Sequence, residues 1–270
     1  MKTGIRRTAL GVLATLALAA AGAGYLAPAP YDRQFREEPN APCSRRFPLG
    51  TDELGRDRLS RLLYGARVSL LLAPSAALLA TVAAALAGGA AGWLGGWTDR
   101  ALMSGANLVL AMPWMFLLIA VRAALPLNVD PGVSLAVTVV LLGGLGWVPA
   151  ARALRAGMLR LVRSDFLLQA RAAGCGTARL FFVHALPNTK GLLAAQFWTA
   201  VPLFLLAEAN LSLLGLGVAE PMPSLGNLLR ELESFHHVRS QPVVLAPLVV
   251  LVALVTCCQL AFPAREEGMR

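Results

Sequence analysis

Charge is scarce in this chain, and negative charge scarcer still. Only 14% of the 270 residues are charged, and 15 acids stand against 24 lysines and arginines. With 57% hydrophobic residues and a mean hydropathy of +0.63, a soluble globular fold is excluded, because it would leave too much apolar surface in water. Cysteine is equally sparse. Cys43 and Cys175 stand apart and Cys257 and Cys258 are adjacent, so no disulfide framework is implied. Of three histidines, His184 is alone, and the adjacent His236 and His237 cannot pair as residues four apart on a helix face do. No carboxylate or thiol completes a ligand set with them, and no metal site is assigned. Walker A, His-Glu-x-x-His, Cys-x-x-Cys and Gly-x-Ser-x-Gly are all missing, so no catalytic residue is assigned and the chain is not expected to be an enzyme. The net charge of +9 comes without an aromatic-interleaved basic patch or a DNA-reading motif, which sets nucleic acid aside.

What the chain has is apolar runs of membrane-crossing length. About 20 residues at ~1.5 Å each cross ~30 Å of hydrocarbon. Six stretches qualify, near 8–28, 67–94, 101–124, 132–150, 191–216 and 242–262, and the expected fold is an all-α integral membrane protein of six transmembrane helices. The 151–190 connector between the fourth and fifth carries seven basic residues against the single acid Asp165, so that side is expected to be cytoplasmic. An even number of spans then places both termini inside, with 29–66, 125–131 and 217–241 facing outward. The expected division is 1–66, a membrane helix with an extracytoplasmic segment, and 67–270, the transmembrane domain with its connector. Lys2, Arg6, Arg7 and the alanine-rich run after them also resemble a secretory signal peptide, but the run continues to Ala27, longer than a typical signal core.

Residues 168–188 form a polar, basic island between two apolar runs, within a unit that starts at Asp165. Asp165 can cap a helix with Phe166, Leu167, Ala170 and Ala173 on one side; Gly174 ends it in a left-handed turn; Thr177 can cap a second helix ending near Pro187. A helix–turn–helix carrying Arg171 and Arg179 suits a socket for another protein, although a short amphipathic helix on the lipid surface fits the same pattern. In the second span Gly88, Gly92 and Gly96 form a small-residue stripe for close helix packing. Glu208 lies within an apolar run near Asn210 and Ser212. It suits either a translocation path or interhelical hydrogen bonding.

Three separated stretches carry a family resemblance. Phe-Pro-Leu-Gly-Thr-Asp-Glu-Leu-Gly-Arg-Asp at 47–57, followed by Ser60-Arg61 and Tyr64-Gly65-Ala66-Arg67, resembles the signature of permease subunits of dipeptide, oligopeptide and nickel ABC importers, in particular the C-type permease. Residues 147–188, from Trp147 through Ala151-Arg152 and Arg155 to Gly174 and His184-Ala-Leu-Pro-Asn188, are similar to that family's cytoplasmic coupling loop. Residues 207–227 are similar to its fifth span and the outer loop after it. Gly95-Gly96, Asp99-Arg100 and Met112-Pro113 add weaker matches.

The resemblance implies a bacterial inner-membrane permease that forms half of a pore with a second permease subunit. Such a subunit receives solute from an extracytoplasmic binding protein and is driven by two ATPase subunits, which hold the ATP and magnesium; no cofactor is expected on this chain. It implies an extracytoplasmic signature of Gly50, Thr51, Asp52, Gly55, Arg56, Asp57 and Arg61. The implied ATPase-coupling set is Asp165, Phe166, Gln169, Ala170, Arg171, Ala173, Gly174, Arg179, His184, Pro187 and Asn188, with Glu208 and Asn210 as pore or packing candidates. Two features depart from the pattern: Leu168-Gln169-Ala170 stands where the family often has Glu-Ala-Ala, and the tail after Phe262 is short. A secondary transporter coupled through Glu208 and a membrane scaffold without transport are the rival readings. Among substrates a peptide is the default, with nickel chelates and other small solutes open.

Overall fold

The computed structural model describes residues 2–126, 129–233 and 241–262, with side chains from Gly4 onward. Its main helices are α1 (Lys2–Ala21), α2 (Arg58–Leu94), α3 (Gly96–Ala111), α4 (Trp114–Ala124), α5 (Pro131–Gly146), α6 (Val148–Val162), α7 (Asp165–Ala172), α8 (Lys190–Leu213) and α9 (Ala246–Ala261). Among the described residues there is no strand, only two isolated antiparallel bridges, Gln34 with Arg56 and Thr51 with Asp57. The protein is an all-α membrane protein. Four helices are long and apolar enough to cross a bilayer, and the number rises to six if the α3–α4 pair, bent by 89°, and the α5–α6 pair, bent by 42°, each cross once.

Local chemistry sets these boundaries. Asp57 caps α2 by accepting the Ser60 backbone N–H at 2.8 Å, and Asp130 caps α5 by accepting that of Gly132 at 2.8 Å, with Pro131 at the first helical position. Between α3 and α4, Pro113 supplies no N–H and forces Met112 into an extended conformation, so the apolar run turns sharply there.

Two boundaries differ most from those expected. The second apolar helix begins at Arg58 rather than near 67, so 58–66 is helix, and its 37 residues extend about 55 Å, well beyond a ~30 Å hydrocarbon layer. Residues 151–162 belong to α6 rather than to a connector, so Arg152, Arg155 and Arg160 ride on a helix that continues the apolar α5.

The core gathers around α2, whose buried face is built largely of alanine: Ala73, Ala76, Ala77, Ala80 and Ala84 are all nearly inaccessible. Small side chains let α5, α6 and α8 come close, and Leu72, Leu118, Leu142, Phe204 and Leu205 fill the space between. Gly88 and Gly92 pack against α6 as the stripe suggested. A Cβ at Gly92 would lie 2.7 Å from that of Met158. Gly96 does not join them. It begins α3 with φ +57°, after Gly95 has ended α2, and nothing lies within 4 Å of where its Cβ would be. Arg155 and Asp99 then pair in two hydrogen bonds, Nη2 to Oδ2 at 2.5 Å, tying α3 to α6.

Candidate functional site

At one end of the bundle the 47–61 run folds into a clasp around Asp52. Its carboxylate accepts the backbone N–H groups of Leu54 (2.9 Å) and Arg56 (2.8 Å) and the Arg56 Nε–H (2.6 Å). Gly50 and Gly55, both at φ +72°, make the turns that bring the chain back; a Cβ on either would run into a carbonyl, of Ala41 or Phe35. Thr51 donates its hydroxyl to Glu38 O (2.5 Å) and accepts the Ala41 N–H (2.8 Å), while Phe35 and Phe47 meet edge to face 5.0 Å apart.

The clasp grips the segment that follows α8. Arg56 Nη1 donates to Glu220 Oε2 at 2.8 Å and Arg61 Nη2 to Glu220 Oε1 at 3.1 Å; Arg58 reaches Glu231 at 3.0 Å and also bonds Gln241. Burial works against the Arg56 charge, but Asp52 and Glu220 outweigh it and hold its pKa above the ordinary arginine value. All seven residues of the expected signature, Gly50, Thr51, Asp52, Gly55, Arg56, Asp57 and Arg61, therefore lie in one folded unit.

Glu208 is buried in α8, where its Oε1 accepts hydroxyls from Ser212 (2.7 Å) and Ser224 (2.6 Å). Ser224 opens the short helix Leu225–Leu228 in a capping box with Asn227, and Leu225 N–H donates to Ser69 Oγ on α2 at 3.0 Å. A Cβ on Gly226 would sit 2.9 Å from both Glu208 oxygens, so only glycine leaves room for the carboxylate. Glu208 thus bonds the loop after α8, which in turn bonds α2 through Ser69. Asn210 points away from it and is exposed.

The basic island lies at the opposite end. Its first helix, α7, runs Asp165–Ala172 and Gly174 stops it at φ +84°, as expected. The caps are shifted: Ser164 and Gly176 occupy the positions expected of Asp165 and Thr177. The second arm starts as Thr177–Arg179, widens into a π-helical turn at Leu180–Ala185 and resumes over Leu186–Asn188, where Asn188 Nδ2 donates to His184 O at 2.5 Å.

Leu167, Leu180 and Ala185 bury themselves against Met158 of α6 and hold the unit in place, with Ala170 packed at its margin. Phe166 and Ala173, expected on the same side as Leu167, are instead exposed. A helix this short, anchored by one leucine, leaves its flanks in solvent: Phe166, Leu168, Phe182 and Val183 form an apolar surface interleaved with exposed Gln169, Arg171, Gly174 and Arg179. Pro187, Asn188 and Lys190 line an adjoining cleft of about 890 Å³ with Arg6, Arg160 and Trp198. His236 and His237 lie outside the described residues.

Sequence reasoning missed the gripping loop's partner, Glu220, and also Arg122, which is buried at the end of α4 and donates to Ser134 Oγ. Arg122 carried the same signal that drew attention to Glu208, an ionisable group inside an apolar run.

Known sequences resemble this chain over most of its length. The chain belongs to the family described as binding-protein-dependent transport system inner membrane component, which matches residues 80–269. It is 33% identical over 202 residues to the dipeptide transport system permease protein DppC of Bacillus subtilis, covering 75% of this chain and 61% of that one. It is also 34% identical over 250 residues to the di/tripeptide transport system permease protein DppC of Pseudomonas aeruginosa, covering 90% and 79%. The oligopeptide transport system permease protein OppC of Mycobacterium tuberculosis is 33% identical over 269 residues, 98% of this chain and 89% of its own length.

Proposed function

We propose that this chain is the permease subunit of an ATP-driven, binding-protein-dependent importer of di- and oligopeptides, forming half of a pore with a second permease subunit. The relatives' names support the substrate class, and the folded 47–61 signature supports the C-type assignment. The 165–188 unit is the contact for the ATPase subunits. The observation that carries this is its exposed apolar surface, Phe166, Leu168, Phe182 and Val183, mounted on buried Leu167 and Leu180. Large apolar side chains held in solvent by a rigid base fit a protein partner. Seven basic residues over 151–190 favour the cytoplasmic side for this end, which places the clasp toward the binding protein.

Mechanically, the unit sits on α6 through Met158, and α6 packs on α2 through Gly88 and Gly92. A displacement imposed by closing ATPase subunits would pass along that contact into the bundle and shift it between inward-open and outward-open states. ATP hydrolysis itself belongs to the partner subunits, with their magnesium.

Co-purification of the tagged chain from its native membrane in mild detergent tests the assignment. Recovery of ATPase subunits and a second permease is expected. Phe182→Asp, on an exposed side chain, should lose the ATPases and keep the second permease; recovery of the chain alone, or of partners indifferent to Phe182, would refute it.

A further inference from the structure

We propose that the cavity beside Arg122 binds a carboxylate, that of the solute arriving at the clasp end of the bundle; the solute's identity, though not the binding, rests on the importer reading above.

Arg122 occupies the last turn of α4 and is 1% exposed. A guanidinium offers five N–H donors and stays charged, so burying it is costly unless an anion or a full set of acceptors meets it. Neither is present among the described residues. Nη1 reaches Pro126 O and Nη2 reaches Ser134 Oγ, both at 3.3 Å, long beside the ~2.7–2.9 Å of charge-assisted bonds, and the buried Nε has no partner. No described carboxylate forms an ion pair with it.

The side chain is nonetheless held in place. Ser134 Oγ donates to Gly217 O (3.3 Å) and accepts the Ala219 N–H (3.1 Å), fixing its bond to the guanidinium from the far side. Arg122 lines a cavity of about 90 Å³ together with Ser212, Gly217, Glu220, Asn227 and Arg230. At ~30 Å³ per water-sized group, that volume takes a carboxylate and a water. Glu220 is the one acid lining it and is already held by Arg56 and Arg61, while exposed Arg230 adds positive charge at the rim. An under-bonded planar fork facing a small cavity with surplus positive charge matches a carboxylate.

Thermal unfolding of the full chain in mild detergent, at matched ionic strength, with acetate or acetamide as probe tests the site. Acetate is expected to raise the midpoint saturably, by about 3 °C at tenfold excess over its Kd, and acetamide to leave it unchanged. Arg122→Gln should abolish the acetate shift and Arg230→Gln reduce it. Equal response to both probes, no response to either, or a shift intact in Arg122→Gln would overturn the site; should Arg122→Gln not fold, the acetate–acetamide comparison on the unsubstituted chain still decides.

Repeating the comparison on the assembled complex with diglycine and its amide separates a free solute from a carboxylate of a partner subunit. A response to diglycine in both preparations supports the solute, and one confined to the isolated chain overturns that assignment. The isolated-chain readout needs neither ATPase nor transport, so it fails or succeeds independently of the importer reading.

Discussion

Glu208→Gln separates a structural joint from a proton path. Glutamine keeps an oxygen for the Ser212 and Ser224 hydroxyls, so uptake by the assembled complex should persist, whereas Glu208→Ala strands both hydroxyls in a buried site and should cost about 1–3 kcal/mol in detergent unfolding. Loss of transport in a folded Glu208→Gln protein would return Glu208 to the pore. At Gly92 the geometry is equally definite: valine there would press on Met158 and the Arg155 carbonyl, so Gly92→Val should destabilise by about 1–3 kcal/mol. Gly96→Ala meets open space and has only its φ of +57° to oppose it, so it should cost less on the same unfolding assay. These differences were half legible. Spacing placed Gly88, Gly92 and Gly96 on one stripe, but it could not show that the helix stops at Gly95. Similarly, composition marked Glu208 as unusual, while the serines that bond its Oε1 come from a loop 16 residues away and from the next turn of its own helix.

Among the elements, the 165–188 unit was the most legible, because Gly174, Pro187 and the change from apolar to basic composition are local signals. Which of its faces points inward was not, since the anchor at Met158 lies on another helix. The two faces make opposite predictions. Leu167→Asp buries a charge against Met158, Leu180 and Ala185 and should loosen the whole unit, seen as faster amide exchange over 165–188. Phe166→Asp should leave exchange unchanged and weaken ATPase recovery alone. The clasp shows the reverse balance: its residues were named in advance, but its purpose of gripping Glu220 and Glu231 depends on contacts more than 150 positions apart, which no local pattern encodes.

For the molecule as a whole, the orientation can be read with cysteines already present. Cys43 is exposed at the clasp end, Cys175 is half-buried at the basic end, and Cys257 and Cys258 lie within an apolar helix. A membrane-impermeant maleimide should label Cys43 in right-side-out vesicles and Cys175 only in inside-out ones; the reverse pattern would invert the topology. The number of crossings was less legible than their existence, because two of the apolar runs bend, at Met112-Pro113 and near Trp147, and hydropathy registers length rather than direction. The helix from Arg58 to Leu94 is one continuous element by comparison: Arg58 and Arg61 are moored to the loop after α8, and 27 to 34 residues later Gly88 and Gly92 bear on α6. In the proposed importer it would work as a push rod. A load applied through Glu220 at one end would then reach the base of the basic unit at the other, and Pro74, the one residue in the rod that cannot donate its backbone bond, is where such a load would make it flex.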